Sequence, residues 1–228
     1  MTQITKQLVR LHQRVESAAR SVGRDPDSIR ILAVSKKQPI EALVAAYEAG
    51  LRDFAENYLQ EALDKIPAIE PDAVWHFIGP VQSNKTRSIA ANFDWVHTVS
   101  SHRIATRLSA QRPTDCDDLQ VCIQLRPNGA QDRNGVTEAE LPDLAAAIMA
   151  APKLCLRGLM IMPLPNNKDA DTRCEFARAH RLYDELKCAG YAIDTLSMGM
   201  SADLEVAITQ GSTCIRIGTD LFGNRDYG

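Results

Sequence analysis

The chain has no two cysteines close enough together to clamp a metal. Its six cysteines, Cys116, Cys122, Cys155, Cys174, Cys188 and Cys214, stand at long, irregular intervals with no CxxC, which speaks against a zinc site or a dithiol redox centre and leaves free thiols as the expectation. The five histidines form no HExxH or comparable ligand spacing, so no metal is expected. Long apolar runs are missing as well. An uncharged stretch such as Leu144 to Pro152 falls far below the roughly 18 apolar residues of a membrane span, and the start MTQITKQLVR lacks a secretory hydrophobic region. A cytoplasmic protein with no membrane partner is expected. Concentrated positive charge is absent too: 26 Lys and Arg against 29 Asp and Glu are spread along the chain for a net charge of −3, which argues against nucleic acid as a partner.

What is present suits one large soluble unit. The 228 residues are 45% apolar and 24% charged, enough to bury a sizeable core, and no linker is long enough to divide residues 1–228. Ile4, Leu8, Leu11, Val15, Ala18 and Val22 recur at helical spacing, which predicts an amphipathic first helix ending near Gly23. From there a short apolar run, a polar or glycine-bearing turn and a longer helical segment repeat. The predicted strands are Ile29-Val34, Asp53-Ala55, Val74-Ile78, Trp95-Val99, Leu119-Leu125, Leu154-Met160, Ile193-Ser197 and Thr213-Ile217. The predicted helices between them are Pro39-Ala49, Tyr58-Ile66, Asn84-Ala91, His102-Gln111, Glu138-Ala150, Asp171-Ala189 and Ala202-Gln210. Strands this apolar, alternating with helices, imply a parallel sheet covered by helices. Eight of them in a chain of this length fit an α/β fold of one closed (β/α)8 TIM barrel with an additional N-terminal helix; an open doubly wound sheet is the alternative.

In such a barrel the chemistry sits just after the strand ends. There the sequence carries Ser35-Lys36, Glu56-Asn57, Gly79-Pro80, Met198-Gly199-Met200-Ser201 and Gly218-Thr219, so polar and glycine residues collect on one rim. Lys36 follows the apolar run Ile31-Leu32-Ala33-Val34 and can reach the barrel axis. Desolvation favours the neutral amine, the form that attacks an aldehyde; the alternative is a rim lysine that snorkels to water. Lys37, on the opposite face if the strand pattern persists, reads as solvated. The turns after strands seven and eight are the usual phosphate site of these barrels. Ser201, placed as a helix N-cap, and Gly218 and Thr219 supply hydroxyls and close backbone approach; an ordinary cap and an ordinary strand-end turn are the plainer readings. Arg216 alternates with Ile215 and Ile217, so it faces the interior or the mouth, toward a barrel carboxylate or a ligand.

Longer strings carry a family resemblance. Val34-Ser35-Lys36, Glu56-Asn57-Tyr58 with Gln60-Glu61, Trp75-His76-Phe77-Ile78-Gly79 with Gln82-Ser83-Asn84-Lys85, Arg157-Gly158-Leu159-Met160, Leu196-Ser197-Met198-Gly199-Met200-Ser201, and Arg216-Ile217-Gly218-Thr219 with Phe222-Gly223 resemble the pyridoxal phosphate homeostasis proteins, relatives of the N-terminal barrel of alanine racemase. The resemblance runs from about Ile31 to Arg225. It implies pyridoxal 5′-phosphate (PLP) bound as a Schiff base to Lys36, its phosphate held by Ser201, Gly218 and Thr219, and Arg216 beside the pyridine nitrogen. Asn57, His76 and Met160 match pocket-lining positions, against the plainer roles of helix cap, satisfied strand histidine and core filler. The segment Arg126 to Gly135 and the pair Lys37-Gln38 depart from the family's pattern.

The resemblance implies a protein that stores PLP and hands it on, with PLP-dependent apo-enzymes as recipients and a monomeric state. A cation beside the pyridine nitrogen disfavours its protonation and makes the ring a poorer electron sink. In alanine racemase a further domain supplies a second base, a tyrosine; here Asp220 to Gly228 are too few to build one, and Tyr227 is expected to fray. The rivals are a PLP-dependent racemase using Lys36 as its base, a class I aldolase acting on a sugar phosphate, and a purely structural role.

Overall fold

The protein is described from a computed structural model that covers residues 2–164 and 169–223. The first helix, α1 (Gln3–Ser21), is capped by Thr2, whose side chain accepts from the Thr5 amide, and buries Leu8, Leu11, Val15, Ala18 and Ala19. Val22, expected on that stripe, lies just past the helix end and is exposed. The repeating unit follows: β1 (Arg30–Val34), α2 (Ile40–Glu48), β2 (Asp53–Glu56), α3 (Leu59–Lys65), β3 (Val74–Phe77), α4 (Thr86–Asn92), β4 (Trp95–Val99) and α5 (His102–Gln111). It continues with β5 (Leu119–Gln124), α6 (Leu141–Ala150), β6 (Leu154–Met160), α7 (Asp169–Cys188), β7 (Thr195–Met200), α8 (Leu204–Thr209), β8 (Cys214–Ile217) and the short α9 (Thr219–Phe222).

All eight strands are parallel, each pairs with its neighbour in sequence, and β1 pairs with β8 from Arg30↔Cys214 to Ala33↔Ile217. The sheet closes, which removes the open-sheet alternative. The alternation of side chains divides the apolar residues into two environments. Ile31 and Ala33 of β1 belong to the large core between strands and helices. Leu32 and Val34 point the other way, into the barrel, with Ala55, Ile78 and Cys214. Trp95, Cys122 and Met160 form a second interior cluster. Between these two small clusters the interior is polar: His76, His97, Ser197 and Arg216 are all buried.

Trp95, the first residue of β4, sits at the N-terminal end of the barrel. The guanidinium carbons of Arg30 and Arg157 lie 5.0 and 4.9 Å from its ring centroid, and His76 stacks on it at 5.4 Å. At the other end of the sequence order, α1 packs against α8 and α9, so the N-terminal helix braces the turns after β7 and β8.

Gly158 sets the pairing of β6. With φ +148° it adopts a backbone that L side chains rarely take, and a Cβ there would lie 1.8 Å from the carbonyl oxygen of Thr195 on β7. The β5–β6 register shifts beside it, between Val121 and Cys122. Gly158→Ala is therefore expected to lose about 3 kcal/mol or more. Gly190→Ala, at φ +92° with nothing within 4 Å of the added carbon, should lose only the backbone strain of about 1 kcal/mol. Urea unfolding of the two variants checks this, and equal losses would show that the contact with Thr195 is not the controlling one.

Candidate functional site

The rim at the strand C-termini holds a cleft of about 260 Å³. Its walls are Val34, Ile78 and Met162 on the apolar side and Lys36, Asn57, Ser201, Arg216, Gly218 and Thr219 on the polar side, completed by Met200 and Ala202. Six of the eight residues singled out from the sequence thus meet in one place.

Lys36 is delivered by the end of β1. The strand stops at Val34, and the next peptide is gripped from below: Lys65 Nζ donates to the Ser35 carbonyl oxygen at 2.7 Å, to Glu56 Oε1 at 2.8 Å and to Glu61 Oε1 at 2.6 Å. Ser35 Oγ donates to the same Glu56 oxygen at 2.7 Å, and the Lys37 amide donates to Glu61. Lys37 takes φ 58°, so the chain turns there and does not continue the strand alternation; its side chain is exposed. A left-handed residue without a glycine is sparsely populated. Here the clamp holds the peptides on both sides of Lys36. Burial pushes the Glu56 carboxyl up, with Lys65 and Ser35 pulling it back.

Arg216 stands on β8, the strand paired with β1, in register with Leu32, and is 4% exposed. None of the ion pairs among the described residues includes it, so the carboxylate partner considered from the sequence is not what satisfies it. Its partners are neutral: NH1 donates to Ser197 Oγ at 2.9 Å and NH2 to the Ile161 carbonyl at 3.0 Å. Burial pushes its pKa down from the ordinary arginine value, yet an arginine stays charged in proteins. Asn57 adds an acceptor. Its Oδ1 is buried and has no hydrogen-bond partner among the described residues. The loop carrying it is held close to the turn after β3 because residue 79 is glycine: a Cβ there would lie 2.0 Å from the Asn57 carbonyl.

The third corner is built by the turns after β7 and β8. The strand predicted to end at Ser197 runs on to Met200 through Gly199, at φ +97°, where a Cβ would meet that of Ala207 on α8 at 2.5 Å. Ser201 is consequently not the helix cap. Asp203 is the residue before α8, its Oδ1 accepting the Met200 amide at 2.6 Å, and Ser201 lies in the turn between, with Oγ accepting from the Asp220 amide at 3.3 Å. Arg14 of α1 ties this corner together, donating to Glu205, to Asp220 and to the Ser201 carbonyl at 3.0 Å. It pairs with two carboxylates beside the corner. Burial pushes Glu205 up, but Arg14 outweighs it and holds the carboxyl below its usual value.

His76 and Met160 do not line the cleft. Both point into the barrel beneath it, Met160 against Trp95 and Cys122. His76 Nε2 lies 2.9 Å from Asp53 Oδ1 and its Nδ1 3.0 Å from His97 Nε2; His97 Nδ1 in turn lies 3.0 Å from Ser197 Oγ. Burial pushes both histidines below the ordinary value, His97 further, with His76 and Arg216 adding to it. Sequence reasoning missed Arg14, Lys65, His97 and Ser197. Arg14 could have been found, since it falls three residues after Leu11 and four before Ala18, on the buried stripe of its helix. The segment Arg126 to Gly135 closes on itself beside the cleft, Arg126 Nε donating to the Gly135 carbonyl at 3.1 Å, and its Arg133 and Asn134 line a neighbouring cavity of about 200 Å³ that shares Asn57, Ile78 and Met162. Tyr227 lies outside the described residues.

The alanine racemase N-terminal domain family matches residues 7–226 of the chain. A protein of Pseudomonas aeruginosa named pyridoxal phosphate homeostasis protein is 48% identical over 229 residues, covering 100% of this chain and 98% of that one. One of the same name from Escherichia coli K12 is 46% identical over 100% and 99%. The structure of PipY from Synechococcus elongatus with PLP bound superposes with a TM-score of 0.82 at 35% identity, over 97% of this chain and 100% of that one.

The buried histidines make stability depend on acid. The folded chain keeps His76 and His97 neutral where the unfolded chain protonates them, so their contribution is complete above the unfolded histidine value of about 6.5 and is lost as pH falls below it. Two such groups give a slope of up to about 2.7 kcal/mol per pH unit. Urea unfolding between pH 8 and pH 5 is expected to show this fall, and His97→Gln to flatten it; a wild-type profile level from pH 7 to pH 5.5 would contradict the assignment.

Proposed function

The chain belongs to the alanine racemase N-terminal domain family, among its pyridoxal phosphate homeostasis proteins, and on that premise we propose that it holds PLP as a Schiff base on Lys36 in the rim cleft, with the ring nitrogen toward Arg216 and the phosphate toward Ser201, Gly218 and Thr219. PLP is its cofactor, and homeostasis of that cofactor is its role. The observation that carries the placement is convergence: an amine, a buried guanidinium and a hydroxyl-bearing turn share one cleft, matching an aldehyde, a ring nitrogen and a phosphate. The unpartnered Asn57 Oδ1 in the wall fits as well, since a buried acceptor calls for a donor.

When bound, PLP supplies an aldehyde that condenses with a primary amine. The clamp around Ser35 and Lys37 fixes the peptides on both sides of Lys36, which lines the cleft. Arg216, whose charge is permanent, opposes protonation of the ring nitrogen and so leaves the ring a weak electron sink. Ser201 and Thr219 offer hydroxyls, and Gly218 lets the backbone come close. Arg14 keeps Glu205 and Asp220 from repelling the phosphate. His76 and Met160 act from beneath, supporting the floor.

A carrier fits this arrangement better than a racemase. Among the described residues lining the cleft, Lys36 is the one side chain able to take up a proton, whereas inversion at a carbon needs a base on each face. The chain works on residues 1–228 as a single barrel unit, a monomer of the cytoplasm that passes PLP to apo-enzymes at the rim; no helix among the described residues is long and apolar enough to cross a membrane.

Borohydride reduction of the PLP-loaded protein followed by peptide mass analysis should place the adduct on Lys36. Lys36→Ala should lose the visible absorption band expected of the Schiff base while retaining weaker PLP binding, because the phosphate corner contributes charge-assisted bonds of roughly 1.5–3 kcal/mol each. An adduct chiefly on Lys37 or Lys85 would refute the placement. The second expectation is catalytic silence. Proton NMR of alanine and other amino acids in heavy water, with chiral analysis, should show at most slow exchange of the α-proton with configuration retained; inversion at about 1 per second or faster would establish the racemase reading instead.

A further inference from the structure

Arg216 is the head of a hydrogen-bonded chain that crosses the barrel. Its members come from five strands, β8, β7, β4, β3 and β2, in the order Arg216, Ser197, His97, His76, Asp53, with successive contacts of 2.9, 3.0, 3.0 and 2.9 Å. His97, His76 and Ser197 are wholly buried. The two ends fix the direction of every link. A guanidinium can only donate, and a carboxylate oxygen accepts. Ser197 Oγ accepts from Arg216 and therefore has its own hydrogen for His97 Nδ1; His97 then carries its proton on Nε2 and donates to His76 Nδ1; His76 carries its proton on Nε2 and donates to Asp53. Each imidazole is left with one tautomer. Burial keeps both rings neutral, so the positive end and the negative end of the chain are separated by neutral links.

A chain polarised in one sense commits the Ser197 hydrogen to His97 and so presents the Ser197 oxygen to Arg216 as an acceptor in a fixed place; turning the guanidinium would lose that bond. We propose that Ser197, His97, His76 and Asp53 are positioning residues that orient the Arg216 guanidinium at the ring-nitrogen end of the PLP site. This rests on the placement of the PLP ring at Arg216 given above. The residues act through Arg216 and do not touch the cofactor.

The histidine tautomers are read without cofactor. Nitrogen-15 NMR of histidine-labelled protein, free of PLP, should show His76 and His97 neutral and protonated on Nε2 from pH 6 to pH 8. Ser197→Ala should shift the His97 ring resonances, and in the PLP-loaded protein it should move the visible band and weaken PLP binding by about tenfold, the effect of one buried donor left without its acceptor. Ser197→Thr, which keeps the hydroxyl, should restore the wild-type band. A His97 protonated on Nδ1, or charged, in the wild type overturns the proposal with no variant needed. So does a Ser197→Ala protein whose band and PLP affinity equal those of the wild type while Arg216→Lys moves both. If Arg216→Lys also leaves the band in place, the failure lies in the placement of the ring, and the orienting role falls with it.

Discussion

A guanidinium removed from water keeps its charge and must find acceptors, and the inside of this barrel is arranged around that requirement. Barrels of this class fill their interiors with layers of branched apolar side chains. Here only the two small clusters around Leu32 and Trp95 follow that pattern, and the space between them is given to His76, His97, Ser197 and Arg216. Leaving a buried donor unpaired costs about 1–3 kcal/mol and more for a charged one, so each polar group admitted for the sake of Arg216 brings in the next, until the series reaches Asp53 at a partly exposed end of the barrel. Four buried interior side chains are thereby joined in one hydrogen-bonded series.

The opposite problem is solved at the phosphate corner. Glu205 and Asp220 stand in the first turns of α8 and α9, beside the place proposed for a dianionic group. An arginine from α1, some 190 residues earlier in the chain, engages both. The N-terminal helix is thus joined to the site by charge as well as by its apolar stripe, although it lies outside the repeating strand–helix unit. On the lysine side the same logic is internal: Lys65 and Glu61, an i,i+4 pair on α3, are turned toward the core and hold the backbone that carries Lys36.

Much of this was legible in the sequence because parallel strands buried on both faces leave an apolar record. Trp95–Val99 and Leu154–Met160 begin and end where the pattern puts them, as does the helix His102–Gln111. Polar and glycine residues gather after the strand ends in the sequence, and Lys36, Asn57, Ser201, Gly218 and Thr219, with Arg216 from within β8, line one cleft. Ser201 read as a cap because regular backbone was assumed where Gly199, at positive φ, carries the strand on to Met200; Lys37, read as solvated, is exposed, although the chain turns at its own positive φ. His97 and Ser197 escaped notice because a single strand cannot show what a side chain meets across a barrel; their partners lie 21 and 100 residues away. The short α9 was missed for lack of length, since Thr219–Phe222 is a single turn.

Trp95 has a consequence for traffic. Its buried ring, stacked with His76 and flanked by Arg30 and Arg157, stops the N-terminal end of the barrel like a cork. On the placement proposed above, a ligand at Lys36 enters and leaves by the rim cleft, whose lining includes Met200, Ala202 and Thr219. On the same proposal, a donor and an acceptor of one cofactor molecule meet the protein at the same end, so delivery and collection take turns there.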